Sequence, residues 1–544
     1  MKAGSSSSNQ NEPLKKVKIY DTTLRDGAQR EGISFTVEDK IKIALELDRL
    51  GVHYIEGGFP AANVTDRKFF QKASELNLAN SQLVAFGRTC LKDMKAEDDE
   101  NLKALVQSGC QVVCIFGKSW DLHVSNVLVT TLDENLRMIA DSISFLKKAG
   151  FETIFDAEHF FDGYKNNREY ALKTLKVAQD AGADWIVLCD TNGGALPSEV
   201  REIIKAVKKE VQVPLGIHAH NDSECAVANS LVAVDEGVTM VQGTINGYGE
   251  RCGNANLCSI IPTLVLKKGL EAVPQEKLSL LTEVSHYVAE VANLAPDSHQ
   301  PYVGQSAFAH KGGVHISAVL REKGAYEHID PQLVGNAQRI LVSEQAGRQT
   351  IVTKAKEVAH VDLSNEPEKI AAILEKLKKR EHQGYHYEVA DGSFALFILK
   401  NIGKYKPFFR IESYDVRVER GRTQRLETEA VVKVWVGQER KVEVAEGNGP
   451  VNALDRALRR ALQPFYPKLS QIKLVDFKVR VFDSKKGTGA TTRVFVESTD
   501  GVKNWGTVGV SENIIEASWE ALVDSIEYGL LFSSELTNPS LFED

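Results

Sequence analysis

Between residues 16 and 268 the chain alternates short apolar, β-branched runs with longer stretches of helical period. The apolar runs fall at 16–24 (KVKIYDTTL), 53–59, 82–89, 111–118, 152–159, 184–191, 213–220 and 240–247. Between them, KIKIALELDRLG (40–51) and NLRMIADSISFLKKAG (135–150) repeat apolar residues every three or four positions and stop at glycine. That pattern predicts amphipathic helices closed by left-handed caps. Gly51, Gly150, Gly182 and Gly237 recur at the same point of the repeat. Strand–helix units repeated eight times over roughly 250 residues predict a (β/α)8 TIM barrel within an α/β chain. A doubly wound open sheet is the alternative, but no G-x-G-x-x-G follows the first strand.

Beyond the barrel the pattern changes twice. A Lys-rich, acidic stretch at 364–380 predicts a helix. From residue 385 apolar and polar positions alternate: FALFILKNI (394–402), ESYDVRVER (412–420), ETEAVVKVWVG (427–437) and RKVEVAEG (440–447) predict half-buried strands. A helix follows, with Pro450 in its first turn and Val451, Leu454, Leu458, Ala461 and Leu462 on one face. Strands at 472–483, 491–500 and 502–511 then lead to a second helix, with Ile515, Trp519, Leu522, Val523 and Ile526 on one face. Strands then helix, twice, is an internal duplication, and two related halves make a crevice for a small ligand.

Length and composition narrow the class. A chain of 544 residues is too long for one core, so several domains are expected. We divide it into a disordered tail (1–14), a catalytic barrel (15–285), a mostly helical linker (286–384), a C-terminal duplicated α+β domain (385–536) and a short tail (537–544). The first residues, MKAGSSSSNQNE, are polar and Ser-rich, with no apolar core for a secretory signal. The net charge of −8 is spread along the chain without a basic block, which argues against nucleic acid. No apolar run is long enough to span a bilayer. Seven scattered cysteines without a C-x-x-C pair suit reduced thiols in the cytoplasm.

In such barrels the site lies at the carboxyl ends of the strands. Those ends carry Arg25 and Asp26, Glu56, Arg88, Asp156 and Glu158, Asp190 and Thr191, His218, His220, Asn221 and Asp222, and finally Glu250, Arg251 and Asn254. An adjacent cation and carboxylate after the first strand suit a metal ion and an anionic substrate. His218 and His220, two apart on a strand, face the same way, and with Asp26 they make a divalent-metal site. Nitrogen and oxygen donors admit Zn, Mn, Mg or Co. Only three protein donors leave positions open for substrate. Asn254 is either a further weak ligand or a turn residue beside Gly253.

DTTLRDG (21–27), HAHND (218–222) and GYGERCGNANL (247–257) together resemble the metal-dependent DRE-TIM superfamily, which includes 2-isopropylmalate, homocitrate and citramalate synthases and 3-hydroxy-3-methylglutaryl-CoA lyase. The resemblance implies that Asp26, His218 and His220 hold the metal, with Asn254 as a distal ligand. Arg25 is then the essential cation, Glu158 the active-site acid, and Thr191 the residue that binds the substrate carboxylate. The implied reaction is a Claisen condensation of acetyl-CoA with a 2-oxo acid. Residues 306–336 resemble the linker of these synthases, which makes His315 the candidate base and Tyr326 its partner, with His310 structural. That linker reaches the partner subunit's barrel in related enzymes, which implies a homodimer.

The C-terminal region resembles the LeuA-type allosteric domain that binds an end-product amino acid. Gly487, Gly489 and Ala490, with Ser511 and Asn513 at the last helix start, become candidate effector contacts. A purely structural dimerisation module is the alternative. FGKSWDLHV, EGGFPAAN and FDAEHFFDGYK resemble most the bacterial-type citramalate synthase branch, which implies pyruvate as substrate, (R)-citramalate as product and isoleucine as inhibitor. 2-Isopropylmalate and homocitrate synthases are the nearest alternatives, the latter needing an extra cation such as Arg88. An acyl-CoA lyase is remoter, because lyases lack the linker and C-terminal domain. So is a non-catalytic amino-acid sensor, given intact Arg25, Asp26, His218 and His220.

Overall fold

The computed structural model describes residues 15–73, 76–343, 346–420, 426–482 and 489–532. The tails expected at 1–14 and 537–544, and the candidate contact Gly487, lie outside those residues. The chain divides into two compact units: Met1–Phe308 with Ile329–Ala337, and Ala309–His328 with Gln338–Asp544.

The first unit is built on eight strands: β1 (Lys18–Asp21), β2 (Tyr54–Gly58), β3 (Gln82–Arg88), β4 (Val112–Lys118), β5 (Glu152–Glu158), β6 (Trp185–Asp190), β7 (Leu215–Ala219) and β8 (Met240–Gly243). All neighbours are parallel, and β8 returns to pair with β1, Ile19 opposite Val241, so the barrel closes. Closure excludes the open-sheet alternative. Helices between the strands start and stop as their sequences predict. Helix Val37–Leu50 opens on a capping box of Thr36 and Asp39 and closes at Gly51, whose φ of 90° only glycine adopts freely. Apolar side chains fill both faces of the strand layer. Val84, Val112, Cys114, Ile154, Val187 and Met240 point into the barrel, and Ile19, Ile55, Ala85, Val113, Phe155, Ile186 and Val241 meet the helices. This rigid wall fixes where each strand end points.

The second unit begins with a two-stranded parallel pair, β9 (Ala309–His310) and β10 (Arg339–Ile340). Helices Gly313–Arg321, Arg348–Val358, Pro367–His382 and Asp391–Asn401 belong to it. Next come antiparallel β11 (Arg410–Arg420), β12 (Leu426–Val436) and β13 (Glu439–Gly447), with helix Pro450–Leu462. The arrangement repeats as β14 (Lys473–Val481), β15 (Thr492–Thr499) and β16 (Asn504–Ser511), with helix Ile514–Phe532. The duplication read from the sequence is therefore a repeat of three strands and a helix. Along β12, Ala430, Val432, Val434 and Val436 are buried against Ala453, Leu454, Ala457 and Leu458 of the following helix.

One element differs from expectation. Residues 394–402 form not a strand but most of helix Asp391–Asn401. Every residue from Gly392 to Leu399 is buried, so the helix has no polar face to reveal its period, and a short all-apolar run reads equally well as a strand. Among the described residues, no helix is long and apolar enough to cross a membrane.

Candidate active site

Asp26 follows β1 by five residues, and His218 and His220 sit at the end of β7. Their donor atoms all lie within 4.8 Å of one another. The His218 Nε2 is 3.2 Å from Asp26 Oδ2, and the His220 Nε2 is 3.9 Å from it. The two Nε2 atoms are 3.3 Å apart. Asn254, at the end of the loop after β8, donates its Nδ2 to Asp26 Oδ2 at 2.8 Å. Its Oδ1 is buried without a partner. The loop can pass this close because Gly249 has no side chain: a Cβ there would stand 1.9 Å from Asn254 Oδ1.

Such a cluster is poorly served by hydrogen bonds alone. Two imidazole nitrogens and a carboxylate converge, and the amide oxygen of the neighbouring Asn254 is buried without a partner. The donor set, two imidazoles and a carboxylate with an amide in reach, fits a divalent cation. The electrostatics agree. Burial works against ionisation of Asp26, but Arg25 and then His218 hold its carboxyl well below the usual carboxylate range. Burial and the neighbouring His218 push His220 down to about 4, which leaves its imidazole neutral at physiological pH. His218 is raised because Asp26 outweighs the opposing effect of burial.

Arg25 is held on three sides. Its Nε donates to Glu56 Oε1 at 2.5 Å, its Nη1 lies 3.5 Å from Asp26, and its guanidinium covers the Phe86 ring with 3.9 Å to the centroid. Glu56, fully buried at β2, also accepts from Thr22 Oγ1 at 2.6 Å and from the Tyr20 hydroxyl. Burial opposes the Arg25 charge, but Asp26 and Glu56 overcome it and raise its pKa further.

Asp26, Arg25, His218 and His220 line one cavity of about 640 Å³ with Glu158, Thr191, Phe86 and Phe116. Glu158 ends β5 and pairs with Lys118 at the end of β4, 2.5 Å away. Thr191 Oγ1 accepts from the backbone N–H of His159 at 2.9 Å. The Thr191 carbonyl accepts from Arg251 at 2.8 Å, and Arg251 forms a two-pronged pair with Asp222 at 2.7 and 3.0 Å. Arg88, by contrast, binds Asp99 at 3.0 Å and is not among the residues lining the cavity.

His315 and Tyr326 belong to the second unit. Both are exposed, and their rings stack at 4.3 Å. In the same segment His310 Nε2 lies 3.1 Å from the buried Glu327, which also accepts from Gln338 at 2.6 Å. At the far end of that unit Ala490 is buried and Gly489 exposed, while Ser511 and Asn513 are engaged in the turn before the last helix. Sequence reasoning noted Glu56 as a strand-end residue without giving it a role, and it passed over Phe86 and Gln242 entirely. A glutamine inside the apolar run MVQG was the one available signal for the last.

The HMGL-like family model matches residues 16–288, the homocitrate synthase post-HMGL domain-like model residues 302–384, and the LeuA allosteric (dimerisation) domain model residues 388–530. The (R)-citramalate synthase of Aquifex aeolicus is 53% identical over 96% of this chain and 99% of its own length. The chain belongs to the (R)-citramalate synthase family. The (R)-citramalate synthase of Geobacter sulfurreducens is also 53% identical, over 96% of this chain and 98% of that one. The 2-isopropylmalate synthase of Methanocaldococcus jannaschii is 32% identical over 94% of each chain. The chain is thus more similar to those two citramalate synthases than to that 2-isopropylmalate synthase, and it matches both over nearly their whole length.

Proposed function

We propose that the chain joins the methyl carbon of acetyl-CoA to the keto carbon of pyruvate and hydrolyses the thioester, releasing (R)-citramalate and CoA. Asp26, His218 and His220 would hold a divalent ion, and the Asn254 amide would join them by presenting its oxygen in place of the NH2 group that faces Asp26. The ion supplies Lewis-acid polarisation of the 2-oxo group. The residues do the rest. Thr191 Oγ1 already accepts a hydrogen bond from His159, so its own proton is free to donate to the pyruvate carboxylate. Arg25, kept charged and immobile between Glu56 and Asp26, stabilises the oxyanion that develops as the carbon–carbon bond forms. His315, with Tyr326 against it, takes the proton from the acetyl methyl group. Glu158, paired with Lys118, exchanges the proton of the new hydroxyl.

The observation that carries this reading is the convergence of Arg25 with the three metal-type donors in one cavity. A match to the LeuA allosteric (dimerisation) domain supports a homodimer and an effector bound in the C-terminal unit; the citramalate reading makes isoleucine the expected feedback inhibitor. Free cysteines at all seven positions support a reducing, cytoplasmic setting.

Thiol release from acetyl-CoA, followed with a panel of 2-oxo acids, tests the reading. Pyruvate is expected to be the best acceptor. EDTA should abolish turnover, a divalent ion restore it, and isoleucine suppress it more than leucine. Equal rates with pyruvate and 2-oxoisovalerate would overturn the substrate assignment.

A further inference from the structure

The metal-type cluster has a support behind it. Gln242 lies on β8, directly opposite His218 on β7 in the strand register. It is fully buried in the barrel interior, where apolar side chains are the rule. Both ends of its amide are used. Oε1 lies 2.8 Å from His218 Nδ1, and Nε2 lies 3.0 Å from Asp156 Oδ1 on β5. Register alone brings Gln242 to His218; reaching Asp156 as well takes it across the barrel.

With Asp156 ionised, the polarity of this chain of contacts has a single solution. An ionised carboxylate only accepts, so Asp156 must receive the NH2 end of the amide. The oxygen end then faces His218, which can meet it only by donating from Nδ1. With the proton on Nδ1, a neutral His218 carries its lone pair on Nε2, the atom that faces Asp26 and His220. The other imidazole lacks such a device: His220 Nδ1 is buried without a partner. A neutral amide fixes the tautomer and ring angle without adding negative charge beside Asp26.

We propose that Gln242, oriented by Asp156, is a positioning residue that holds His218 as the Nδ1–H tautomer and thereby sets the affinity of the Asp26–His218–His220 cluster for a divalent ion. This rests on the metal reading given above. It adds to that reading a residue that touches neither ion nor substrate.

Cobalt(II) binding to metal-stripped protein, measured by competition with a chromophoric chelator and by the visible absorption of the bound ion, gives a readout independent of turnover. Gln242→Leu removes the acceptor and is expected to weaken cobalt binding about 10- to 100-fold, the usual range for a partner of a ligating histidine. Gln242→Glu, sharing one proton with Asp156, donates to that carboxylate and still offers an oxygen to Nδ1, so it is expected to bind within about threefold of wild type. In a His218→Ala background, Gln242→Leu should have no further effect, since a contact that acts only through His218 vanishes with it. If the wild type binds cobalt, His218→Ala weakens it and Gln242→Leu does not, the positioning role is wrong and the metal reading survives. If Asp26→Ala and His218→Ala both bind as wild type does, the metal reading itself is wrong. Should Gln242→Leu not fold, Gln242→Met, which matches glutamine in length and offers Nδ1 no amide oxygen, decides alone: a folded Met variant with wild-type cobalt affinity overturns the proposal.

Discussion

Arg25 sits where two carboxylates and an aromatic face meet. Its planar guanidinium donates sideways to Glu56, faces Asp26, and lies flat on Phe86. Lysine would keep the charge but lose the fork and the stacking. Arg25→Lys is therefore expected to fold normally and to lower kcat by about 100- to 1,000-fold, the typical cost of losing one oxyanion donor, with KM for pyruvate changed far less. Steady-state kinetics at saturating acetyl-CoA measures the split, and a kcat within tenfold of wild type would remove Arg25 from the chemistry. At this scale the sequence was informative where a single strand carries the logic. His218 and His220 share a face because strand period is two, and Asp26 follows directly from its place after β1. It was uninformative where the partner comes from another strand. Glu56 owes its position to Tyr20, Thr22 and Arg25 on and after β1, and Gln242 owes its own to the register of β7 against β8. Neither pairing is written in any local pattern.

Helices show the same division between local and non-local information. Helix Val37–Leu50 announces itself by its capping box and closing glycine, whereas helix Asp391–Asn401 is masked by burial on all sides. The last helix, Ile514–Phe532, adds a feature that only packing reveals: Glu527 is buried in the second unit, and Glu520 and Asp524 are half-buried there. Burial pushes each carboxyl up, Glu527 to about 7. A carboxyl raised in the folded state binds its proton more tightly there than in the unfolded chain. Its contribution to stability is full below the unfolded value of about 4.3 and is lost as pH rises through the folded value. The second unit is thus expected to lose on the order of 2 kcal/mol between pH 5 and pH 8 through Glu527. Glu527→Gln keeps an acceptor for the Phe408 N–H and removes the titration, so it should flatten the slope. Urea unfolding of the full chain at the two pH values reads both effects. A variant with the wild-type slope would show that Glu527 is not its source.

At the scale of the whole molecule, the chain does not finish one unit before starting the next. Residues Ala309–His328 belong to the second unit, yet the following Ile329–Ala337 belong to the barrel unit. Nothing in composition separates these two stretches, which read as one continuous linker. The returning segment is firmly held. Val334 is fully buried, and its carbonyl accepts from Thr282 Oγ1 at 2.6 Å. Asn336 Nδ2 donates to the carbonyls of Tyr302 and Gly304, both at 2.9 Å. Between them Gly335 has a φ of 74° and approaches the Ser279 carbonyl so closely that a Cβ would stand 2.0 Å from it. A chain ended at Phe308 loses this strap, while a chain ended at Ala337 keeps it at the cost of a loose connection. One buried valine and three hydrogen bonds together are worth about 3–7 kcal/mol before the entropy of ordering the segment is set against them. The longer fragment is therefore expected to unfold at a clearly higher temperature, even though its additional residues 309–328 have lost the unit they pack in. Thermal unfolding followed by circular dichroism compares the two, and equal midpoints would mean that the barrel does not depend on the segment that returns to it.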